Sequence, residues 1–226
     1  MRRPLAIALA LLLSALAACT GSSKVRDSAD ELPAGADLVA AAAAEMRTVT
    51  TARFTIKSEG SVKSLGIRGA DGVITKQGDA EGTAQIDQAG ATAEFAFVIS
   101  GQTLYVKGPT GGWQRVPLAL ASSVYDPSAI LNPDRGVAHL LATATSARTE
   151  GRESVDGADA YKVAATLSGQ ALAALVPGIT TDIAGTLWVG ADRRLLHRAA
   201  FVVPGDGGTV TISFREFDAP VKISAP

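Results

Sequence analysis

DIAGTLWVGADRRLLHRAAFVVPGDGGTVTISFREF, residues 182–217, reads as three long strands in succession: Asp182–Gly190, Leu195–Val203 and Thr209–Phe217. In the last, Val210, Ile212 and Phe214 face one way and Thr211, Ser213 and Arg215 the other. Strict alternation puts an apolar row on one face of a sheet and a polar row on its back. Arg193-Arg194 falls in a hairpin turn and reads as solvated charge.

The same pattern extends upstream. Ala147–Ser154 and Ala160–Leu167 flank an Asp156-Gly157 turn, and Ser168–Val176 is a short helix closed by Pro177-Gly178. Nearer the start, Arg53–Glu59 alternates, with Phe54 and Ile56 on one side. Val62–Thr75 is broken by Gly66, Gly69 and Gly72 and reads as a hairpin or two short strands. Gly82–Gln88 carries Ala84 and Ile86 on one face, and Thr92–Ser100 carries Phe95, Phe97 and Ile99. Gln102–Lys107 follows the Gly101 turn as a meander, and Trp113–Val116 is a further short strand.

Helical spacing marks two other regions. Leu38, Val39, Ala42, Met46 and Val49 share a face over Ala36–Thr51, with Asp37 in the first turn. Asp126-Pro127 and Asn132-Pro133-Asp134 each read as a cap followed by a first-turn proline, and Val137, Leu140, Leu141 and Ala144 then form an apolar stripe. With no internal repeat and no second domain, the expected architecture is α+β: one large curved antiparallel sheet, a half-barrel, with helices covering its concave face. A sheet of this size must twist and curl, so helices laid across it can enclose a hydrophobic cavity.

Residues 1–18 read as a signal peptide. Arg2 and Arg3 precede an apolar run from Leu5 to Leu16, too short for the roughly 20 residues that span a bilayer. Leu16-Ala17-Ala18-Cys19 resembles the bacterial lipobox, in which the cysteine thiol takes a diacylglyceryl group. Residues 19–34 then form the lipidated start and a polar flexible tether, and residues 35–226 the folded domain. Lipidation at Cys19 implies an extracytoplasmic protein anchored to the cell membrane. Cys19 is the single cysteine, so its acylation also removes disulfides, thiol nucleophiles and cysteine metal sites.

Loss of residues 1–18 removes Arg2 and Arg3 and no acid, leaving 19 Lys and Arg against 22 acids, a net charge of −3. That balance argues against a nucleic-acid partner. Aromatics make up only 5%. Abundant Ala and Gly fit a core that leaves space, and fit a high-GC genome equally well.

Catalytic patterns are missing. There is no G-x-S-x-G elbow, no phosphate loop and no convincing dinucleotide fingerprint. His139 and His197 are the only histidines and lack a metal-type partner four residues away. Asp126 and Asp134 read as helix-start residues, and Trp113 and Trp188 as core or sheet-surface residues. No cofactor and no enzymatic activity are expected.

Residues 124–152, VYDPSAILNPDRGVAHLLATATSARTEGR, resemble the mycobacterial LppX/LprA/LprF/LprG lipoproteins. The matches are Tyr125-Asp126-Pro127, Leu131-Asn132-Pro133-Asp134, Gly136, Leu141 and Glu150-Gly151-Arg152. Weaker similarity runs from the lipobox through Gly82–Lys107 to Leu187-Trp188-Val189, with departures at Ser58–Asp79 and Pro177–Asp182.

The resemblance implies a half-barrel with a hydrophobic cavity for an acylated glycolipid, phospholipid or triacylglycerol, carried through the cell envelope. It also implies a membrane efflux transporter as partner, for which this sequence shows no docking segment. The positions expected to line the cavity are Ala84, Ile86, Phe95, Phe97 and Ile99 from the sheet, and Ile130, Val137, Leu140 and Leu141 from the helices. From the residues alone, these nine read more simply as a solid core; the resemblance favours the cavity. The alternative function is a surface-anchored interaction or regulatory protein without lipid transport, and a weaker one is a lipid-modifying enzyme.

Overall fold

The computed structural model describes residues 32–60, 62, 67–88, 91–121, 129–176, 179–205 and 207–226. The signal segment, Cys19, most of the tether and Asp126-Pro127 lie outside them. From Leu32 onward the chain is one compact unit. In order it forms α1 (Gly35–Thr48), β1 (Thr51–Glu59), β2 (Ile67–Thr75), β3 (Ala80–Gln88), β4 (Ala91–Ser100), β5 (Thr103–Lys107), β6 (Gln114–Pro117), α2 (Leu118–Ala121) and α3 (Val137–Ala142). It continues with β7 (Thr145–Val155), β8 (Ala158–Leu167), α4 (Gly169–Ala173), β9 (Ile183–Gly190), β10 (Leu196–Val202) and β11 (Thr209–Arg215).

All eleven strands join one open antiparallel sheet, in the order β6-β5-β4-β3-β2-β1-β11-β10-β9-β8-β7. Two runs of neighbours meet where β1 pairs with β11, from Arg53 opposite Arg215 to Glu59 opposite Thr209. That register sets Phe54 against Phe214 and Ile56 against Ile212, so the apolar rows of the two halves become continuous. One slipped residue would turn β11 inside out.

The core lies on this apolar face. Leu38, Val39, Ala42, Ala43 and Met46 of α1 are buried there with α3 and with Val163, Leu167, Leu187, Phe201, Val210 and Phe214 of the sheet. α1 packs on α3 and on β7, β8 and β9. It begins one residue before the expected Ala36 and ends three residues before the expected Thr51. At Val49 the backbone is already extended (φ −58°, ψ 128°), and the β-branched Thr50 and Thr51 lead into β1.

The chain through Gly69 and Gly72 is one strand, β2, where the sequence suggested a break. Gly72 lies directly opposite Gly82 of β3. A Cβ on Gly82 would fall 2.1 Å from the Asp71 carbonyl oxygen and 2.7 Å from the Gly72 Cα. The glycines therefore allow a close backbone approach rather than interrupting pairing. The Phe54 ring flanks the pair on the apolar face, 3.2 Å from where a Gly72 Cβ would stand.

The Asn132-Pro133-Asp134 motif is also corrected: it is a turn ahead of α3 and does not cap it. The Asp134 amide donates to the Asn132 side-chain oxygen at 3.0 Å, and the Gly136 amide to the Asn132 carbonyl at 2.8 Å. Gly136 takes the cap position. A Cβ there would meet the carbonyl oxygens of Ala129, Ile130 and Asn132 at 2.4–2.5 Å. At α4, the Ser168 hydroxyl accepts from the Ala171 amide and the Asp182 carboxylate accepts from the Gly169 amide.

Arg193 and Arg194 are not free solvated charge. Arg193 reaches Asp218 at 3.2 Å and Glu45 of α1 at 3.8 Å. Arg194 donates to the Gly190 and Ala191 carbonyls and lies over the Tyr161 ring at 5.2 Å. Asp218 also accepts from the Thr50 amide at 2.9 Å and from its hydroxyl at 3.1 Å. It thus ties the start of β1 to the segment after β11.

Two predictions follow from this geometry. Gly82→Ala forces a Cβ into backbone and costs about 1–3 kcal/mol, the usual scale of overpacking; urea unfolding measures it, and an unchanged midpoint would refute the close-approach account. The Asp218 carboxyl is held below its ordinary value of 3.8, first by the Thr50 amide; burial, the next largest effect, opposes this, and the Arg193 and Thr50 side chains add to the lowering. A depressed folded pKa stabilises above the ordinary value, and the gain is lost as pH falls through the folded one. Asp218→Ala therefore lowers the Tm at pH 7, and the gap from wild type closes as the pH is taken below about 4; a gap of constant size would count against this junction.

Candidate functional site

The two faces of the sheet differ sharply in chemistry. On the back, Arg53 bonds Glu216 at 3.2 Å and Asp71 at 3.7 Å, and Arg215 bonds Asp71 at 3.3 Å and Thr55 at 2.9 Å. Arg198 pairs with Asp156 at 3.2 Å and lies over Trp188, whose indole N–H donates to Glu153. A polar recess of about 550 Å³ sits there, lined by Lys57, Glu59, Asp156, Arg198 and Arg215 among others. Trp188 is thus a sheet-surface residue, and Trp113 is exposed on the same face beside Ala96 and Val98.

The apolar face is graded along the strands on the β1–β5 side. At one end Ala52, Ile74, Ala80 and Ile99 of four adjacent strands are all 0% exposed. One step along, Phe54 and Gly72 are still buried, while Gly82 and Phe97 are half-buried. The next row is Ile56, Ala70, Ala84 and Phe95, in register across β1, β2, β3 and β4, and all four are half-buried. Ile86 and Ala93 beyond them are half-buried too. These rows are hydrocarbon, yet only one end is sealed. Across the half-buried row the small Ala70 and Ala84 lie between the larger Ile56 and Phe95, which makes a shallow trough.

The nine expected lining residues therefore fall into two sets. Ala84, Ile86, Phe95 and Phe97 stand in the half-buried trough. Ile99, Ile130, Val137, Leu140 and Leu141 are fully buried in the packed core that closes its end. Sequence reading missed Ala70, which fills the trough floor between Ile56 and Ala84, because the glycines around it hid β2. It also missed Ser58, which continues the row Ala52, Phe54, Ile56 on the apolar side. The signal was present: a hydroxyl two residues beyond Ile56 in an alternating strand.

His197 is half-buried, edge-on to Phe217 at 5.6 Å, and burial lowers its pKa. His139 lies half-buried on α3. Among the described residues no three His, Cys, Asp or Glu side chains are grouped to hold a metal ion. No described helix is long and apolar enough to cross a membrane.

Known proteins share this fold or its sequence. The lipoarabinomannan carrier protein LprG of Mycolicibacterium smegmatis is 32% identical over 223 residues, covering 96% of this chain and 93% of its own. The protein of the same name from Mycobacterium leprae is 29% identical over 216 residues, covering 93% and 89%. Among solved structures, LprF of Mycobacterium bovis superposes with a TM-score of 0.76 at 22% identity, over 85% of this chain and 96% of that one. LppX of Mycobacterium tuberculosis gives 0.65 at 20% identity, over 84% and 97%. Residues 34–223 match the family as a whole, and the chain belongs to the LppX_LprAFG lipoprotein family.

Proposed function

We propose that this protein is a membrane-anchored lipoprotein that binds multi-acylated lipids or glycolipids in the apolar trough and carries them through the cell envelope. The observation that carries the reading is the graded apolar face: a hydrocarbon row continuous with the core but half-open from Ile56 to Phe95. Ala84, Ile86, Phe95 and Phe97 line the acyl-chain site, and Ile99, Ile130, Val137, Leu140 and Leu141 close it. The relatives' description as lipoarabinomannan carriers supports an acylated ligand with a polar glycan head.

The energetics suit a carrier. Three 16-carbon chains leaving water would gain roughly 38 kcal/mol at about 0.8 per methylene. Binding free energies saturate near 18 to 21 kcal/mol, so water is the wrong reference state. Between membrane and trough the apolar gain nearly cancels, and the protein lowers the cost of crossing an aqueous gap. No catalytic residue is required. Lipid on Cys19 would keep the site within reach of the membrane that supplies the cargo.

The reading is tested on the chain from residue 19 carrying Cys19→Ser. Organic extraction and mass spectrometry should recover acyl lipid, and delipidated protein should take up a triacylated glycolipid. If neither occurs, the carrier is rejected in favour of a non-transporting interaction protein; turnover of the added lipid would instead reveal an enzyme. Ala84→Trp should abolish uptake while the circular dichroism and Tm stay near wild type, because Ala84 is half-buried and outside the packed core. Loss of folding in that variant would mean a solid core. In cells, Cys19→Ala in the full chain should move the protein from the membrane to the soluble fraction; unchanged membrane association would remove the lipid anchor from the scheme.

A further inference from the structure

The apolar face carries one anomaly. Ser58 follows Ala52, Phe54 and Ile56 on the apolar side of β1, opposite Val210 of β11. Val210 is 0% exposed, and Phe201, opposite Val210 on β10, is buried as well. On the other side, Ile56 begins the half-buried row with Ala70, Ala84 and Phe95. Ser58 therefore stands at the seam between the sealed half of the sheet and the trough.

Its Oγ is buried and has no hydrogen-bond partner; among the described residues it is the only buried side-chain oxygen or nitrogen left so. No residue of the described core is polar. A buried hydroxyl without a partner is a net cost, which alanine at the same place would avoid. Such a group calls for an explanation outside the chain's own hydrogen bonds. An acylated lipid supplies one. Its chains offer no polar atom, but where they join the head each ends in an ester carbonyl, an acceptor that lies at the boundary between hydrocarbon and polar surroundings. The row from Ile56 to Phe95 crosses four strands, roughly 14 Å at the usual strand spacing. A chain can lie along it with its carbonyl end at Ser58.

We propose that Ser58 is the polar anchor of the trough: its hydroxyl donates a hydrogen bond to an ester carbonyl of the bound lipid and so selects acyl esters over alkyl ethers. This rests on the lipid-binding reading above and deepens it by naming the linkage that is recognised.

The test compares dipalmitoyl phosphatidylglycerol with its dihexadecyl ether counterpart, in competition for the delipidated Cys19→Ser chain from residue 19, by native mass spectrometry. The expected preference for the ester is about three- to tenfold, the worth of one neutral hydrogen bond. Ser58→Ala should bring the ratio close to one by weakening the ester alone, with a Tm no lower than wild type because no internal partner is lost. Ser58→Thr should keep the preference. Equal binding of ester and ether by wild type, as when a water satisfies the hydroxyl, would overturn the proposal while leaving the carrier intact. So would a preference that survives in Ser58→Ala, or a lowered Tm there. Binding of neither lipid would overturn both.

Discussion

Eleven strands at about 4.8 Å spacing make a sheet roughly 50 Å across. Its apolar face has to be covered, and the described helices contain only 14, 4, 6 and 5 residues. The longest, α1, measures about 21 Å. It packs on α3 and on β7, β8 and β9, the far half of the sheet. Curling shortens the distance to be covered, but the mismatch between a wide hydrocarbon face and a narrow helical layer governs the rest of the structure. Where helices and sheet meet, the core is solid. Beyond their reach, past Ile74, Ala80 and Ile99 along β2, β3 and β4, the same face is only half-buried.

The seam between the halves is β1 against β11. It joins chain segments more than 150 residues apart, and its register makes the two apolar rows one surface. The ion pairs on the back of the sheet follow the same seam: Arg53 and Arg215 are direct partners there and share Asp71 and Glu216. Exposed pairs of this kind contribute little stability each. Their effect is to keep the back of the sheet polar and hydrated.

The carrier proposed above would need no reactive group. His197 packs edge-on against Phe217, and the perturbed carboxyls lie at surface junctions: Asp218 at the start of β1, and Asp87 between Thr92 and Arg68. On that proposal, specificity would rest on shape and on the few polar atoms that border the hydrocarbon. This is why one unpaired hydroxyl at Ser58 matters more here than it would in a polar pocket.

The sequence by itself determined the alternating strands of 182–217, the apolar stripe of α3, the single open antiparallel sheet and the family. These depend on local periodicity and on short motifs, which survive in one dimension. The β2 strand was obscured because its glycines look like breaks until Gly72 is seen opposite Gly82. The Asn132 turn was mistaken for a cap because capping and turn chemistry use the same residues. The division of the nine expected lining positions was not legible at all. Phe97 and Ile99 alternate identically along β4, yet one is half-buried and the other sealed. Alternation assigns a side chain to a face; how far along that face the helices reach is decided only when distant segments pack together.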